Sequence, residues 1–412
     1  MASSPVSSPD FRPRLRPGLA AAPNGSPDTV TLFDPLRIAP AVVTMARRYY
    51  EWASLLFTGE RTLREVQLEV IARGGGALVP LDELTALAAA LDAAMLLDGP
   101  SFQTYLAGPV RRPVCVGCYP EDPVAIGRTL GKLFTGPGGP GMPDPAAGPS
   151  PHGRLRAALL PHMDYARGGV TYGWGFKELV ERTDAKLFVI VATSHYSPNR
   201  FTLTRMNFAT PLGEVPTDQG YIDRLEEHYG DGLFDDPLAH LPEHSIELEV
   251  LLLQYLFAGR RDFRIVPLLV GSFADRVLFQ SDPAAADDIG RMVSALRKAE
   301  AEAGEPVCYL ISGDLAHIGP KFGDPLPVSD AQLAASKARD DAILDRLTAA
   351  DPAGYFGVIA EEGDERRICG LPPTWLTLAA TRPKAGKVLH YNRYVHPTGH
   401  ESVSFAAAAF YE

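Results

Sequence analysis

Three of the ten histidines in this chain come shortly after a run of apolar residues. The runs span residues 155–160, 187–192 and 307–311, and the polar residues that follow them are His162, then His195, then Asp314 with His317. Near-continuous Val, Ile, Leu and Ala is typical of strands buried on both faces. Because parallel strands place their carboxyl ends at one edge of a sheet, we expect these side chains to meet there. Imidazoles and a carboxylate at one edge predict a metal site or an acid–base site.

The elements that position these residues alternate along the chain. A fourth apolar run covers residues 265–270, and amphipathic helical patterns cover 246–257, 284–303 and 330–349. Runs at 388–394 and 403–410 are expected to complete the sheet. Alternating strands and helices predict an α/β fold with a mostly parallel sheet flanked by helices.

The N-terminal part has a different character. Residues 1–28, rich in Ser, Pro and Ala, are expected to form a disordered tail. Residues 29–105 predict a small helical domain of winged-helix or PqqD-like type, with helices at 42–57, 62–74 and 81–97; the alternative is a plain helical bundle. The α/β domain is then expected over 106–412, with a mobile Gly/Pro loop at 135–153.

Charge and hydropathy exclude several classes of partner. The net charge is −11, which argues against nucleic acid and anionic membranes as ligands. Residues 28–98 carry six Arg and no Lys against ten acidic residues, so the N-terminal domain lacks the basic face of a DNA-binding module. The sequence contains no apolar run of 18 residues that could span a membrane. The N-terminus lacks the basic-then-apolar order of residues that is typical of a signal peptide. A cytoplasmic location is the expectation.

The four cysteines do not form a disulfide framework in a chain of this length. Cys115 and Cys118 have the CxxC spacing of half a zinc site or of a redox pair, but no second pair follows. We therefore expect two ordinary thiols at these positions.

Five blocks, taken together, resemble the MEMO family, called AmmeMemoRadiSam system protein B in bacteria. They are the segments 161–165 (PHMDY), 194–195 (SH), 243–247 (EHSIE), 312–317 (SGDLAH) and 369–370 (CG). The segments 112–119 and 402–406 are similar to the opening motif and the last strand of the family, so the resemblance covers about residues 111–412.

The resemblance implies a fold like that of class III extradiol dioxygenases, with a metal held by His162, His195 and Cys369. It also implies that Asp314 and His317 lie nearby, with His317 as the acid–base residue. Two imidazoles and one anionic ligand leave positions open, as oxygen-activating iron(II) requires. Fe(II) is therefore the expected metal, although the soft thiolate also suits Cu(I) or Zn(II).

Four further residues are expected to line the pocket: Asp164, Tyr165, His244 and Glu247. His244 and Glu247 could instead cap and brace a helix, and Glu247 is the carboxylate for a His-His-Glu ligand set. Asp164 could orient His162 or form a turn. The segment 371–373 (LPP) departs from the animal MEMO pattern, where Arg and His precede a Pro, so the substrate is expected to differ.

Three functions follow from this interpretation. The first is an iron(II)-dependent oxidoreductase acting on a small-molecule or peptide-borne substrate. The second is a non-catalytic protein that binds iron or copper. The third is a peptide- or partner-binding module, whose partner is suggested by the family name to be a radical-SAM enzyme.

Overall fold

The structure is a computed structural model that describes residues 5–115, 117–144, 146–148 and 150–412. The chain divides into two compact units, Met1–Pro109 (unit 1) and Val110–Glu412 (unit 2). Unit 2 is the α/β part of the chain.

Unit 1 is a three-stranded antiparallel sheet followed by helices. Its elements are β1 (Ala20–Pro23), β2 (Thr29–Phe33), β3 (Val43–Ala46), α1 (Arg47–Leu56), α2 (Leu63–Arg73), α3 (Leu81–Ala93) and α4 (Pro100–Leu106). The helix expected over 42–57 was wrong in its first turn, because Met45 of β3 pairs with Val30 of β2 and both side chains are buried.

The segment before β1 is anchored by a buried ion pair. Arg16 donates from Nη2 to Asp34 Oδ2 over 2.9 Å, and its guanidinium lies 4.1 Å from the ring centre of Phe102. Arg16 and Asp34 are both buried. The prediction of a disordered tail over residues 1–28 was therefore wrong for its second half, because buried polar contacts and β1 hold that part of the chain in place.

Unit 2 contains most of the helices and strands of the protein. The helices are α5 (Pro123–Thr135), α6 (Tyr165–Gly168), α7 (Val170–Arg182), α8 (Gln219–Tyr229), α9 (Glu247–Phe257), α10 (Ala274–Leu278), α11 (Asp287–Ala301), α12 (Asp330–Thr348), α13 (Pro352–Glu361) and α14 (Leu371–Thr381). The strands are β4 (Val110–Arg111), β5 (Leu155–Leu160), β6 (Leu187–Thr193), β7 (Phe201–Leu203), β8 (Asn207–Thr210), β9 (Gly213–Val215), β10 (Arg264–Val270), β11 (Val307–Ser312), β12 (His317–Ile318), β13 (Ala385–Val395) and β14 (Ser402–Tyr411). Among the described residues, no helix is long and apolar enough to cross a membrane.

The large sheet has the strand order β12-β14-β5-β11-β6-β10-β7, and β13 pairs with β14 beside this path. Strands β5, β11, β6 and β10 are parallel to one another, whereas β7 and β14 run antiparallel to their neighbours. The predicted α/β fold with a mostly parallel sheet is confirmed. The carboxyl ends of the parallel strands lie at one edge, as the site requires.

Two hydrophobic cores cover the two faces of this sheet. Along β5, Ala157 and Leu159 belong to the core that includes α11 and α14, while Ala158 and Leu160 belong to the core that includes α7 and α9. Successive side chains of a strand point to opposite faces, so both sets are buried. This double burial explains why the strands appear in the sequence as continuous apolar runs.

The Gly/Pro segment at 135–153 is bonded to α7. Trp174 donates from Nε1 to the carbonyl of Gly138 over 2.9 Å, and Lys177 donates to the carbonyl of Pro140 over 2.7 Å. Pro145 and Pro149, which belong to the loop expected to be mobile, lie outside the described residues. The described part is thus held by side chains of a helix that packs on the sheet.

The capping box predicted for α2 is confirmed: the Thr62 hydroxyl accepts from Glu65 N, and Glu65 Oε2 accepts from Thr62 N. We expect Thr62→Ala to lower the free energy of opening of α2 by about 1 kcal/mol, because the Glu65 amide loses the Thr62 hydroxyl as its acceptor. Hydrogen exchange of the α2 amides measures this change. Thr104→Ala, which removes a hydroxyl bonded within α4, is the control and should leave α2 unchanged.

Candidate metal centre

The candidate site lies at the carboxyl edge of the parallel sheet. His162 follows β5 and His195 follows β6 by two residues each, and Asp314 follows β11 by two residues. Cys369 lies on the turn that leads into α14. Side chains from four separate segments thus meet because their strands end at the same edge.

His162 is the centre of the arrangement. Its Nε2 lies 3.2 Å from Cys369 Sγ and 3.6 Å from Asp314 Oδ2, and the ligand atoms of the three residues lie within 4.8 Å of one another. Two donors that share a first-row metal at about 2.0–2.3 Å lie roughly 3–4.5 Å apart. The spacing of this group therefore suits one metal ion with small adjustments.

A second group on the same rim contains three imidazoles. His162, His195 and His244 offer ligand atoms that all lie within 4.8 Å of one another. The ring centres of His195 and His244 are 4.8 Å apart, and each side chain is 30% exposed, whereas His162 is buried. The site therefore has a buried floor at His162 and Asp314 and an open side at the other two histidines.

The predicted ligand set of His162, His195 and Cys369 combines members of these two groups, which share His162. It stays a prediction. The structure adds His244 and Asp314 as further candidate ligands beside it.

Glu243 orients the two outer histidines, a role that sequence reasoning missed. Its Oε1 accepts hydrogen bonds from His195 Nδ1 (2.9 Å), His244 N (2.9 Å) and Ser245 N (3.1 Å), while Oε2 accepts from His195 N (2.8 Å). Since a carboxylate accepts the Nδ1 proton of His195, Nε2 remains for a ligand. The signal was a carboxylate directly before His244 in the 243–247 block.

The buried groups of the site favour neutral side chains in the absence of an ion. Burial lowers the pKa of His162 well below its ordinary value and lowers that of His244 to about 4. Burial raises the pKa of Asp314 to about 7 and raises that of the Cys369 thiol well above its usual range. Although burial opposes ionisation of Glu243 as well, its hydrogen bonds with His195 hold the pKa of this carboxyl well below its usual range. A cation would therefore enter a site that already contains one carboxylate.

His317 lies close enough to lower the pKa of His162. Its Nδ1 is 3.0 Å from the carbonyl oxygen of Leu315 and 3.1 Å from that of Arg367. Carbonyl oxygens only accept hydrogen bonds, so Nδ1 carries the proton. The other ring nitrogen, Nε2, then has the lone pair that can accept a proton. Burial lowers the pKa of His317 to about 4, so the ring is neutral and able to accept a proton.

Hydroxyl groups tie the strand ends to the segments that carry the site. Thr193 donates to the carbonyl of Cys369 over 2.8 Å, Ser245 donates to the carbonyl of Thr193 over 2.9 Å, and Ser312 donates to the carbonyl of Ser245 over 2.6 Å. All three bonds are short and buried or partly buried. They fix the Cys369 turn and the 243–245 segment relative to β6 and β11.

Two of the residues expected to line the pocket have other contacts. Asp164 caps α6 by accepting from Arg167 N over 3.0 Å, which supports the structural turn considered for it. The hydroxyl of buried Tyr165 donates to the carbonyl of Leu248 over 2.6 Å. Both residues support the elements next to His162.

Glu247 does not belong to the ligand groups, so its interpretation as an alternative metal ligand was wrong. Both carboxylate oxygens are taken by donors from the 111–119 segment: Arg111, Tyr119 and the backbone amides of Val114 and Cys115. Helix α9 begins only at Glu247, so His244 lies before the helix. His244 therefore turns to the site while Glu247 anchors the start of unit 2.

Cys115 and Cys118 form a disulfide in the same segment. The expectation of two ordinary thiols was wrong, because the turn places the two side chains within bonding distance. Cys308 is a free and buried thiol, and Cys369 is a free thiol at the site.

Two glycines allow the Cys369 turn to reach Asp314. A Cβ on Gly313 would lie 2.5 Å from the Cα of Gly370, and a Cβ on Gly370 would lie 2.7 Å from the carbonyl oxygen of Asp314. Gly370 N also donates to that carbonyl over 2.9 Å. The distance between Cys369 and His162 therefore depends on two backbones in direct contact.

We expect Gly313→Ala to displace the Cys369 turn, because its Cβ meets backbone rather than a flexible side chain. The affinity for a bound metal should fall by roughly 10-fold or more, the size of effect found when the support of a ligand is lost. A titration with a chromophoric competitor measures it. Gly357→Ala is the control because nothing lies within 4 Å of its Cβ position; an equal loss in both variants would contradict the expectation.

Comparisons with known proteins point to the same family as the five sequence blocks. The model of the Memo-like protein family matches residues 111–410. A MEMO1 family protein of Methanothermobacter thermautotrophicus is 30% identical over 278 residues, covering 66% of this chain and 88% of its own length. A MEMO1 family protein of Thermus thermophilus is 27% identical over 337 residues, covering 80% of this chain and 93% of its own length.

A MEMO1 family protein of Aquifex aeolicus is 25% identical over 369 residues, covering 86% of this chain and 89% of its own length. That alignment takes in more of the chain than the family model does, so it includes part of unit 1. The resemblance inferred from the five blocks is confirmed: this chain belongs to the Memo family.

Proposed function

We propose that unit 2 is a metal-dependent oxidoreductase that uses iron(II) held by His162, His195 and Cys369. The observation that carries this proposal is the meeting of imidazole, thiol and carboxyl donors around Nε2 of His162. The substrate is a small molecule or a group carried by a peptide. The open side of the site at His195 and His244 gives such a substrate access.

The donor set supports a redox-active transition metal. Bound iron(II) supplies open coordination positions for dioxygen and substrate when two imidazoles and one anionic group hold it. The partly buried thiol of Cys369 would become an anionic ligand, since metal binding deprotonates cysteine. A thiolate also suits Cu(I) or Zn(II), so a metal analysis is part of the test.

His317 and Asp314 have distinct roles in this proposal. His317 accepts a proton from a substrate hydroxyl at Nε2, because its Nδ1 proton is held by two carbonyls. Asp314 positions His162, since its Oδ1 accepts from His162 N over 3.2 Å. The same carboxylate lies beside Nε2 of His162 and offers an additional oxygen ligand.

The proposal extends to the wider fold and to partners. The ligand positions at the carboxyl ends of parallel strands support a relation to class III extradiol dioxygenases. For unit 1 we propose a PqqD-like or winged-helix docking module that binds a partner protein, such as a radical-SAM enzyme, in the cytoplasm. Its support is an antiparallel sheet packed with short helices and an excess of acidic residues.

We expect protein purified without oxygen to contain close to one iron per chain by elemental analysis. His162→Ala and Cys369→Ala should each lower the metal affinity by more than about tenfold, because each removes a donor atom. His228→Ala is the matched control, since His228 pairs with Glu302 away from the site.

Two results would change this assignment. If His244→Ala lost the metal and Cys369→Ala kept it, the three imidazoles would be the ligand set and the thiol would have no part in it. If the wild-type protein bound no metal after anaerobic loading, the metal-dependent function would be excluded.

We expect nitric oxide, a probe of open positions on iron(II), to bind the iron-loaded protein and give an electron paramagnetic resonance signal. An enzyme keeps a position open, whereas a storage site surrounds its metal with protein ligands. His317→Ala should keep both the iron and this signal but lose substrate oxidation, because it removes the proton acceptor only. Absence of the signal in fully loaded wild-type protein would favour the metal-carrier function.

A further inference from the structure

A cavity of about 200 Å³ adjoins Cys369. It lies at the carboxyl ends of β6 and β10, between α10 and the turn that precedes α14. Its walls come from Ser194, Phe273, Val277, Asp364, Arg367 and Ile368, beside Cys369 itself. The cavity is therefore next to the candidate metal ligands, but most of its lining residues take no part in that site.

The walls of this cavity suit one ring. Phe273, Val277 and Ile368 are buried apolar residues, and the Phe273 ring packs edge-on against Trp375 at 6.0 Å. A cavity of about 150 Å³ lined by apolar side chains holds benzene. The extra volume here accommodates a benzene-sized ring with a short substituent.

The polar groups of the cavity indicate the charge of the substituent. Arg367 is already compensated, because it pairs with Asp324 over 2.7 Å and donates to the carbonyl of His317 over 3.2 Å. Asp364 accepts one hydrogen bond, from Ile368 N over 2.7 Å, and forms no ion pair with any residue that the structure describes. Arg366 and Arg367 act on the Asp364 carboxylate electrostatically but form no close ion pair with it, so a positively charged ligand in direct contact would stabilise this partly buried carboxylate.

The groove outside the cavity has the same charge preference. It shares Ala274, Val277 and Asp364 with the cavity and continues past Glu361 and Glu365. Glu362, in the same groove, is compensated by Arg339 and Arg366. A cation approaching Cys369 would thus pass exposed carboxylates, which raise its local concentration.

We propose that this cavity binds a single apolar ring that carries a protonated amine, with the ring between Phe273 and Val277 and the ammonium group at Asp364. This inference rests on the proposed function, because it names the substrate class that reaches the metal beside Cys369. The amine is either free or part of a peptide-borne side chain. Both share the ring and the cation that the cavity recognises.

Three probes of the same size test the charge preference: benzylamine, benzyl alcohol and benzoate. Ligand-observed NMR titrations use the intact, metal-loaded protein at pH 7. Benzylamine should bind roughly twofold to fivefold more tightly than benzyl alcohol, the ratio expected for one partly exposed ion pair, and benzoate should bind most weakly.

Asp364→Asn is the decisive variant. Asp364 has a left-handed backbone, with φ of 51°, which Asn tolerates, and the amide oxygen can still accept from Ile368 N. The variant should bind benzylamine and benzyl alcohol equally. Glu361→Gln, which removes an exposed carboxylate of the groove, is the control and should keep the preference. Val277→Phe fills the cavity and should abolish binding of all three probes.

The metal content of every sample separates the two hypotheses. Equal binding of the three probes, or an undiminished preference in Asp364→Asn, would overturn the amine assignment. Failure of benzylamine to bind protein that contains its metal would overturn the pocket while leaving the proposed function intact. Binding of benzylamine to protein that cannot hold a metal would retain the pocket and exclude the metal-dependent function.

Discussion

The buried carboxylate of Glu243 is the interaction on which the site depends. One side chain accepts four hydrogen bonds, two from His195 and one each from the amides of His244 and Ser245. An isolated carboxylate would be costly in this environment, but these donors stabilise its charged form. In return, the carboxylate fixes the tautomer of one imidazole and the backbone position of the next.

A second buried carboxylate in the same block holds the frame around the site. Glu247 pairs with Arg111, and both side chains are fully buried. Arg111 also donates to the carbonyls of His240 and Glu243. One guanidinium thus links the start of unit 2 to the segment 240–243, which precedes α9. A buried pair of this kind contributes little net stability but is costly to break, because one uncompensated charge would remain. It therefore specifies a single arrangement of the segment that carries His244.

The parallel strands could be predicted because they are buried on both faces and therefore form continuous apolar runs. The run at 155–160, for example, has the same bounds as β5. The meeting of His162 and His195 follows from the same pattern. The different roles of Glu243 and Glu247 could not be predicted from residue type, because they depend on where α9 begins. Two short strands of unit 1 were missed for different reasons: β1 lies in the Ser-, Pro- and Ala-rich segment predicted to be a disordered tail, whereas the four residues of β3 look like the first turn of a helix.

The two carbonyls on Nδ1 of His317 limit how protons can leave the pocket. A carbonyl oxygen cannot take over that proton, so the ring cannot pass a proton from one nitrogen to the other. A proton that arrives at Nε2 must depart from Nε2. If His317 takes a proton from a bound molecule, as proposed, its imidazole therefore returns that proton to the same pocket and does not relay it to bulk water.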